Sequence, residues 1–305
     1  MRNDEVGVFA EGMEDPYVRF LCTQRHRTFY VKPYPGNSGD ALIRLGTDKL
    51  LSQLGIKRTI DPRKAGVILF PGGNPAMWGH NIEVWEDCWT RFPTTEFVVG
   101  PATFQPSDTD WPSVVRRSSA PIVAMFARDP ASYRWLKEAK LPAGILTDLA
   151  HDPALQLRNS EWLAEHRLAA TEEYVLASFR DDHEAAVVGR SRFSAFIESY
   201  DFPLSTRLRL RRERRRVSRR LAQVEALRDR TLPLKVADVS RFDFESFVEY
   251  VRRCREIHTD RLHAMLLAAL LGKRIYAYPT AYGKLESVYN HSLKPWADVR
   301  FAGPA

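Results

Sequence analysis

Apolar and polar positions fall in blocks along most of the chain. From Thr28 onward, short β-rich runs are each followed by a stretch with the three-to-four spacing of a helix. That order is the one a mostly parallel α/β sheet requires. The run "TFYVKPYP" predicts a strand, "GNSGD" a loop, and "ALIRLGTDKLLSQLG" a helix closed by Gly55. Next, "AGVILF" predicts a strand ending in "PGGNPAMW", "EFVVG" leads into "PATFQP", and "PIVAMFA" into "RDPASYRWLKEAK". Each of these strands ends in a loop rich in Gly, Pro or Asn. Ligands of open α/β sheets bind beyond the carboxyl ends of the strands, so these loops are expected along one edge of a domain.

Residues 153–171 show no strand pattern and are expected to carry the chain to a second unit. There "EYVLASFRDD" opens a new strand series. It continues with a helical stretch over 207–230, a strand in "LKVADVS", and a helix in "DFESFVEYVRRCREIH". A wholly apolar helix, Ala264 to Leu271, and a strand in "RIYAYP" complete it. The pattern predicts two Rossmann-like α/β domains facing a central cleft. They span residues 1–165 and 166–305, the second carrying a basic helical segment over 204–230.

Composition changes this picture little, and charge changes it in one place. The 305 residues are 44% hydrophobic and 27% charged, ordinary for a globular chain. The net charge of +7 suggests a nucleic-acid partner until it is located. Residues 207–230 hold eleven arginines against Glu213, Glu225 and Asp229, so this one segment supplies all of the surplus. The basicity is local, which argues against a nucleic-acid-binding surface. The stripe Leu210, Val217, Leu221, Val224 and Leu227 beside it fits either a solvated helix or one that docks on an anionic membrane. No apolar run approaches the roughly 20 residues of a membrane span, and "MRNDEVGVFAEGMED" lacks the pattern of a signal peptide. Cys22, Cys88 and Cys254 are widely separated, as expected of reduced thiols in a cytoplasmic protein.

The chemistry concentrates where the apolar helix begins. Thr259 or Asp260 is expected to cap it and Gly272 to stop it, which places Arg261, Leu262 and His263 in its first turn. Free N–H groups and the positive end of the helix dipole favour an anion there. A guanidinium adds a fork suited to phosphate or carboxylate, and an imidazole adds a donor that titrates near neutrality. Equally, Arg261 would pair internally with Asp260 or another acid, with His263 a hydrogen-bonded core group. Arg128 and Asp129 are expected to pair with each other and brace their loop, and His151 and Asp152, where the first domain ends, to serve as a hinge or else to stand in the cleft. No cluster has metal-ligand spacing and no nucleotide phosphate loop occurs, so neither a metal nor a cofactor is expected.

The stretch "TDRLHAMLLAALLGKRIYAY", followed by "YGKLESVYN", resembles the carboxyl-terminal signature of the polysaccharide pyruvyl transferases. Six further segments resemble that family's landmarks in order: "GNSGDAL" (Gly36 to Leu42), "PGGN" (Pro71 to Asn74), "VVGPATFQ" (Val98 to Gln105), "ARDPAS" (Ala127 to Ser132), "HDPA" (His151 to Ala154) and "SFR" (Ser178 to Arg180). The resemblance implies a fold similar to the GT-B glycosyltransferases. It also implies transfer of a pyruvyl group from phosphoenolpyruvate to a sugar of an exopolysaccharide unit, as a ketal with release of phosphate. By the same resemblance Arg261, His263, the Leu262 backbone and Arg180 hold the donor, with Lys284 a weaker candidate. His263 is the candidate acid. Asp40 is the candidate for binding or deprotonating the acceptor, and otherwise an N-cap of a helix starting at Ala41. Asn37, Gly39 and Gly73 are assigned to close backbone approach on the acceptor side, where ordinary turn residues would look the same, with Asn74 beside them. The arginine segment would suit an acceptor linked to a lipid diphosphate at the inner face of the cytoplasmic membrane. Two other readings are a sugar-nucleotide glycosyltransferase, with Glu286 as ribose ligand, and a non-catalytic module resting on residues 207–230.

Overall fold

A computed structural model of the chain describes residues 15–32, 36–74, 79–104, 110–180, 218–280 and 283–302. The chain divides into two compact units, Met1–Glu165 with Ser287–Trp296, and His166–Glu286 with Ala297–Ala305. The segment Ser287–Trp296, read from the sequence as part of the second domain, thus belongs to the first unit.

The first unit runs α1 (Pro16–Thr23), β1 (Thr28–Val31), α2 (Ser38–Gln53), β2 (Lys57–Arg58), β3 (Val67–Phe70), α3 (Gly79–Arg91), β4 (Glu96–Ala102), α4 (Trp111–Arg117), β5 (Ile122–Ala127), α5 (Pro130–Glu138), β6 (Leu146–Leu149) and α6 (Glu161–Leu168, which ends in the second unit). Its six strands are all parallel, in the order β2-β1-β3-β4-β5-β6. Strand β3 shows why the unpatterned apolar run is a strand. Val67 and Leu69 pack on one face with Phe29, Leu50 and Leu51, while Ile68 and Phe70 pack on the other with Trp85, Trp89 and Phe97. Both faces are covered, so every position is apolar.

Helix α2 starts at Ser38, three residues before the expected Ala41. Asn37 is its cap, and Gly39 N–H donates to the Asn37 carboxamide oxygen at 2.8 Å. Asp40, at the third helical position, accepts the Asn37 N–H at 2.9 Å, which completes a capping box. Midway along α2, a Cβ on Gly46 would meet the Pro153 carbonyl oxygen at 2.0 Å, so the helix packs backbone to backbone on the turn Pro153–Leu157.

The second unit runs β7 (Tyr174–Ser178), α7 (residues 218–227), β8 (Leu234–Val236), α8 (Phe244–Arg253), β9 (Cys254–Thr259), α9 (Leu262–Leu270), β10 (Arg274–Ala277), α10 (Lys284–Val288, which ends in the first unit) and β11 (Val299–Phe301). Its sheet is parallel, in the order β11-β10-β9-β7-β8. The two parallel α/β units are those the strand–helix alternation predicts. One expectation fails here: "DFESFVEYVRRCREIH" is not a single helix. It breaks at Arg253, and the rest forms β9, between β7 and β10. The buried residues Glu256 and His258 are polar and bond to each other and to Tyr278, so no apolar run announces the strand.

Candidate functional site

In the second sheet the chain leaves β7 for β8 on one side and returns to β9 on the other, so the strand order reverses between β7 and β9. Such a switch point is where open α/β sheets bind ligands, at the carboxyl edge. Ser178 pairs with Thr259, so Arg180 and Arg261 each stand two residues beyond the paired ends. The Thr259 hydroxyl donates to the Ser178 carbonyl at 2.8 Å and accepts the Arg261 N–H at 2.9 Å. Helix α9 therefore starts later than expected: its N-cap is Arg261 itself, in extended backbone with no side-chain cap, and neither Thr259 nor Asp260 has that role. Gly272 closes it at φ 70°, its N–H on the Ala269 carbonyl, as the sequence suggests.

The Arg261 guanidinium is nearly buried and gripped by Asp238, just past β8. Nε donates to Oδ1 at 3.0 Å, and a second nitrogen pairs with Oδ2. Asp238 also accepts the Ser240 hydroxyl at 2.8 Å and lies 3.4 Å from Arg241. Asp260 is fully buried. One of its oxygens accepts the Arg180 N–H at 2.7 Å and the other pairs with Arg220. Leu262 is buried and His263 half-buried in the first turn of α9. Arg180, Arg261, Leu262 and His263 thus gather on one edge. Sequence reasoning took Asp260 for a cap and missed Asp238 and Arg220; no local pattern marks either one. Lys284, the weaker candidate, is buried at the start of α10. Glu286 Oε2 is buried with no hydrogen-bond partner among the described residues.

The first sheet has its own reversal, between β1 and β3. A cavity of about 200 Å³ opens there, lined by Gly36, Asn37, Asp40, Arg44, Pro71 and Gly72 among others. Asp40 is central: a Cβ on Gly36 would meet its Oδ2 at 2.0 Å, and one on Gly73 its Oδ1 at 3.2 Å. Gly72 and Gly73 take φ of 120° and 92°, open to glycine, and Gly73 bridges to Ala102 beside β4. Asn37, Asp40 and Gly73 therefore come together, with Gly39 buried behind them in α2. Asn74 accepts a hydrogen bond from Arg128 at 2.6 Å.

Arg128 does not pair with Asp129. Its fully buried guanidinium donates to Asp152 at 2.7 Å, to Thr103 at 2.9 Å and to Asn74. Asp129 instead caps α5 through Ser132, and Asp152 caps the turn Pro153–Leu157 through the Ala154 N–H at 3.0 Å. His151 bonds Ser292 at 2.9 Å and stacks on His291 with ring centroids 4.5 Å apart. Both contacts lie within the first unit.

This buried group sets a pH dependence. Burial, and secondarily His291, pushes the His151 pKa down to about 3; burial also lowers His291. Burial pushes Asp15 up to about 7. The depressed imidazoles contribute stability that is present above 6.5 and lost as pH falls. The raised carboxyl contributes stability that is present below 3.8 and lost as pH rises toward 7. Across about pH 6 to 4 the uptake on His151 and the release from Asp15 oppose each other, and the lowered His291 adds to the uptake, so stability falls as acid is added. All seven tryptophans lie in the first unit, so urea unfolding followed by tryptophan fluorescence reads that unit alone. His151→Gln should flatten the slope; a wild-type stability independent of pH over that range contradicts the account.

Among the described residues no group of His, Cys, Asp and Glu is placed to hold a metal, and no helix is long and apolar enough to cross a membrane. The arginine segment is split. Residues 204–217 lie outside the described residues. Helix α7 packs one face, with Val224 buried against Ala177, Phe179, Tyr276 and Tyr278 and Leu221 beside it, and leaves Arg219 and Leu227 exposed on the other.

No curated protein matches the sequence significantly. A structure of a functionally uncharacterized protein from Klebsiella pneumoniae is similar at a TM-score of 0.63 with 18% identity, covering 94% of this chain and 97% of that one. A UDP-GlcNAc 2-epimerase from Neisseria meningitidis, bound to UDP-GlcNAc, aligns at a TM-score of 0.35 and 10% identity over 82% of this chain and 81% of that one. That score is too low to speak for a shared arrangement. The sequence model described as polysaccharide pyruvyl transferase matches residues 37–280, a span that holds both switch-point edges. The chain belongs to the polysaccharide pyruvyl transferase family.

Proposed function

We propose that this enzyme takes its pyruvyl group from phosphoenolpyruvate and joins it to two hydroxyls of one saccharide as a ketal. The observation that carries the reading is the gathering of Arg180, Arg261 and His263 at the β7–β9 switch point, beside a helix N-terminus whose own cap residue, Arg261, makes no side-chain capping bond. A small, multiply charged enol ester suits that edge.

The chemistry balances with few groups. Protonation of C3 makes the methylene a methyl and leaves C2 electrophilic. One sugar hydroxyl adds to C2 and loses its proton. The C2–O bond to phosphate breaks, phosphate departs with the bonding pair, and the second hydroxyl closes the ketal with loss of its own proton. In this reading Arg261 and Arg180 hold the anionic ends and stabilise the leaving phosphate, and His263 delivers the proton to C3. Asp40 meets the acceptor hydroxyls at the cavity of the first unit. Its Oδ2 already accepts the Asn37 N–H, so Oδ1, beside Gly73, is the atom assigned to that role. Lys284 is a secondary donor ligand. Phosphoenolpyruvate is a substrate, and the scheme uses no cofactor or metal.

The acceptor we propose is an exopolysaccharide unit on a lipid diphosphate at the inner face of the cytoplasmic membrane. Support comes from the seven arginines against one acid in residues 207–217, a density that attracts anionic lipid. The sugar-nucleotide glycosyltransferase is kept as the second reading because the buried Glu286 oxygen has no partner among the described residues. One assay tests both readings. Phosphate release from phosphoenolpyruvate should require a saccharide and run faster with a lipid-linked acceptor in anionic vesicles than with the free saccharide. Turnover of a sugar nucleotide, with no phosphate released from phosphoenolpyruvate, would establish the other activity.

A further inference from the structure

Arg220 comes from the stretch whose excess charge looks like a feature of solvent or membrane. Its side chain is only 5% exposed. It pairs with the fully buried Asp260, donates to the Pro279 carbonyl at 3.1 Å, and lies 5.3 Å over the Phe179 ring. One turn on, Val224 is buried in the cluster formed by Ala177, Phe179, Tyr276 and Tyr278. Helix α7 is thereby fixed at the carboxyl ends of β7 and β10.

Asp260 has a task of its own there, since its other oxygen anchors the Arg180 N–H at 2.7 Å and Arg261 is the next residue. That anchor puts a carboxylate where an anionic donor is expected, beside a second carboxylate, Asp238, on Arg261. Like charges in a poorly hydrated setting repel strongly. We infer that Arg220 is a positioning residue of the donor site: it holds Asp260 and cancels its charge, so that Arg180 can be anchored without repelling the donor. This rests on the phosphoenolpyruvate reading above. Replacing a buried ion pair by neutral groups is often harmless to folding, whereas removing one partner is not. The pair is therefore explained by the anion site rather than by stability.

The test measures the Kd of phosphoenolpyruvate by calorimetry on full-length protein, with thermal unfolding as a check on folding. Arg220→Gln should weaken binding by about thirtyfold, the order expected of an uncancelled charge one residue from Arg261. Adding Asp260→Asn to it should recover at least about tenfold of that loss, because the repelling charge is gone while the amide oxygen still accepts the Arg180 N–H. Arg220→Lys, which keeps the charge, should stay within about fivefold of wild type. A Kd for Arg220→Gln within about threefold of wild type overturns the inference, as does a double variant no better than the single. Should Arg220→Gln not fold, the lysine variant and the neutral pair decide: binding by both supports the role, and loss in either overturns it. Wild-type protein that binds no phosphoenolpyruvate overturns the donor reading and this inference with it. Wild-type binding with an unaffected Arg220→Gln overturns this inference alone.

Discussion

Arg261→Ala is expected to lower kcat/KM for phosphoenolpyruvate by roughly two to four orders of magnitude. Among the described residues Arg261 is the guanidinium that stands at the mouth of α9, with a fork that fits a phosphate or carboxylate. Two charge-assisted hydrogen bonds at about 1.5–3 kcal/mol each set the scale of the loss. The fold should survive, because Asp238 keeps the Ser240 hydroxyl and Arg241 as partners. Arg261→Lys should recover only part of the rate, since an ammonium cannot reproduce the bidentate contact. The check is phosphate release at low phosphoenolpyruvate concentration; wild-type turnover in the alanine variant contradicts the assignment. In the ligand-free chain Arg261 is held by Asp238, so donor binding requires the guanidinium to share or exchange that carboxylate.

The second large effect is on stability. Asp152→Ala leaves the Arg128 guanidinium, fully buried, without its counter-charge. Breaking a buried pair from one side costs about 3–5 kcal/mol. Losing the cap on the turn Pro153–Leu157 adds about 1 kcal/mol. Against a total of roughly 5–15 kcal/mol this removes a large share of the stability of the first unit. Urea unfolding read by tryptophan fluorescence should show its midpoint moved sharply down, or no folded baseline. The double variant Arg128→Met with Asp152→Asn should recover most of the loss, because no lone charge remains. A midpoint unchanged in Asp152→Ala sinks the account of this pair.

Much of the fold can be read from periodicity because its central strands are apolar on both faces, as in β3, β5 and β7. Strand β9 escapes that reading because it carries Glu256 and His258 into a buried hydrogen-bonded group, where the polar residues satisfy one another. The capping box of α2 hides its start: Asp40 is as good a cap residue as Asn37, and only the Asn37 N–H on its carboxylate shows which role it has. Arg261, His263 and Arg180 are legible as candidates because they belong to compact motifs. Their partners are not, since Asp238 lies 23 residues from Arg261 and Arg220 lies 40 from Asp260. Charge density also misleads: Arg220 looks like one more solvated arginine, and only the packing of Val224 and Leu221 reveals that α7 turns it inward. Arg128 misleads differently, since the acid beside it in sequence is committed to capping α5 and the true counter-charge lies 24 residues on.

All of the donor chemistry depends on where the enol ester binds. The most direct measurement is a crystal structure of the protein soaked in phosphoenolpyruvate. The account predicts its phosphate and carboxylate at the carboxyl edge of β7 and β9, within hydrogen-bonding reach of Arg261, Arg180 and His263. Density for the ester anywhere else, with Arg261 still closed on Asp238, contradicts it.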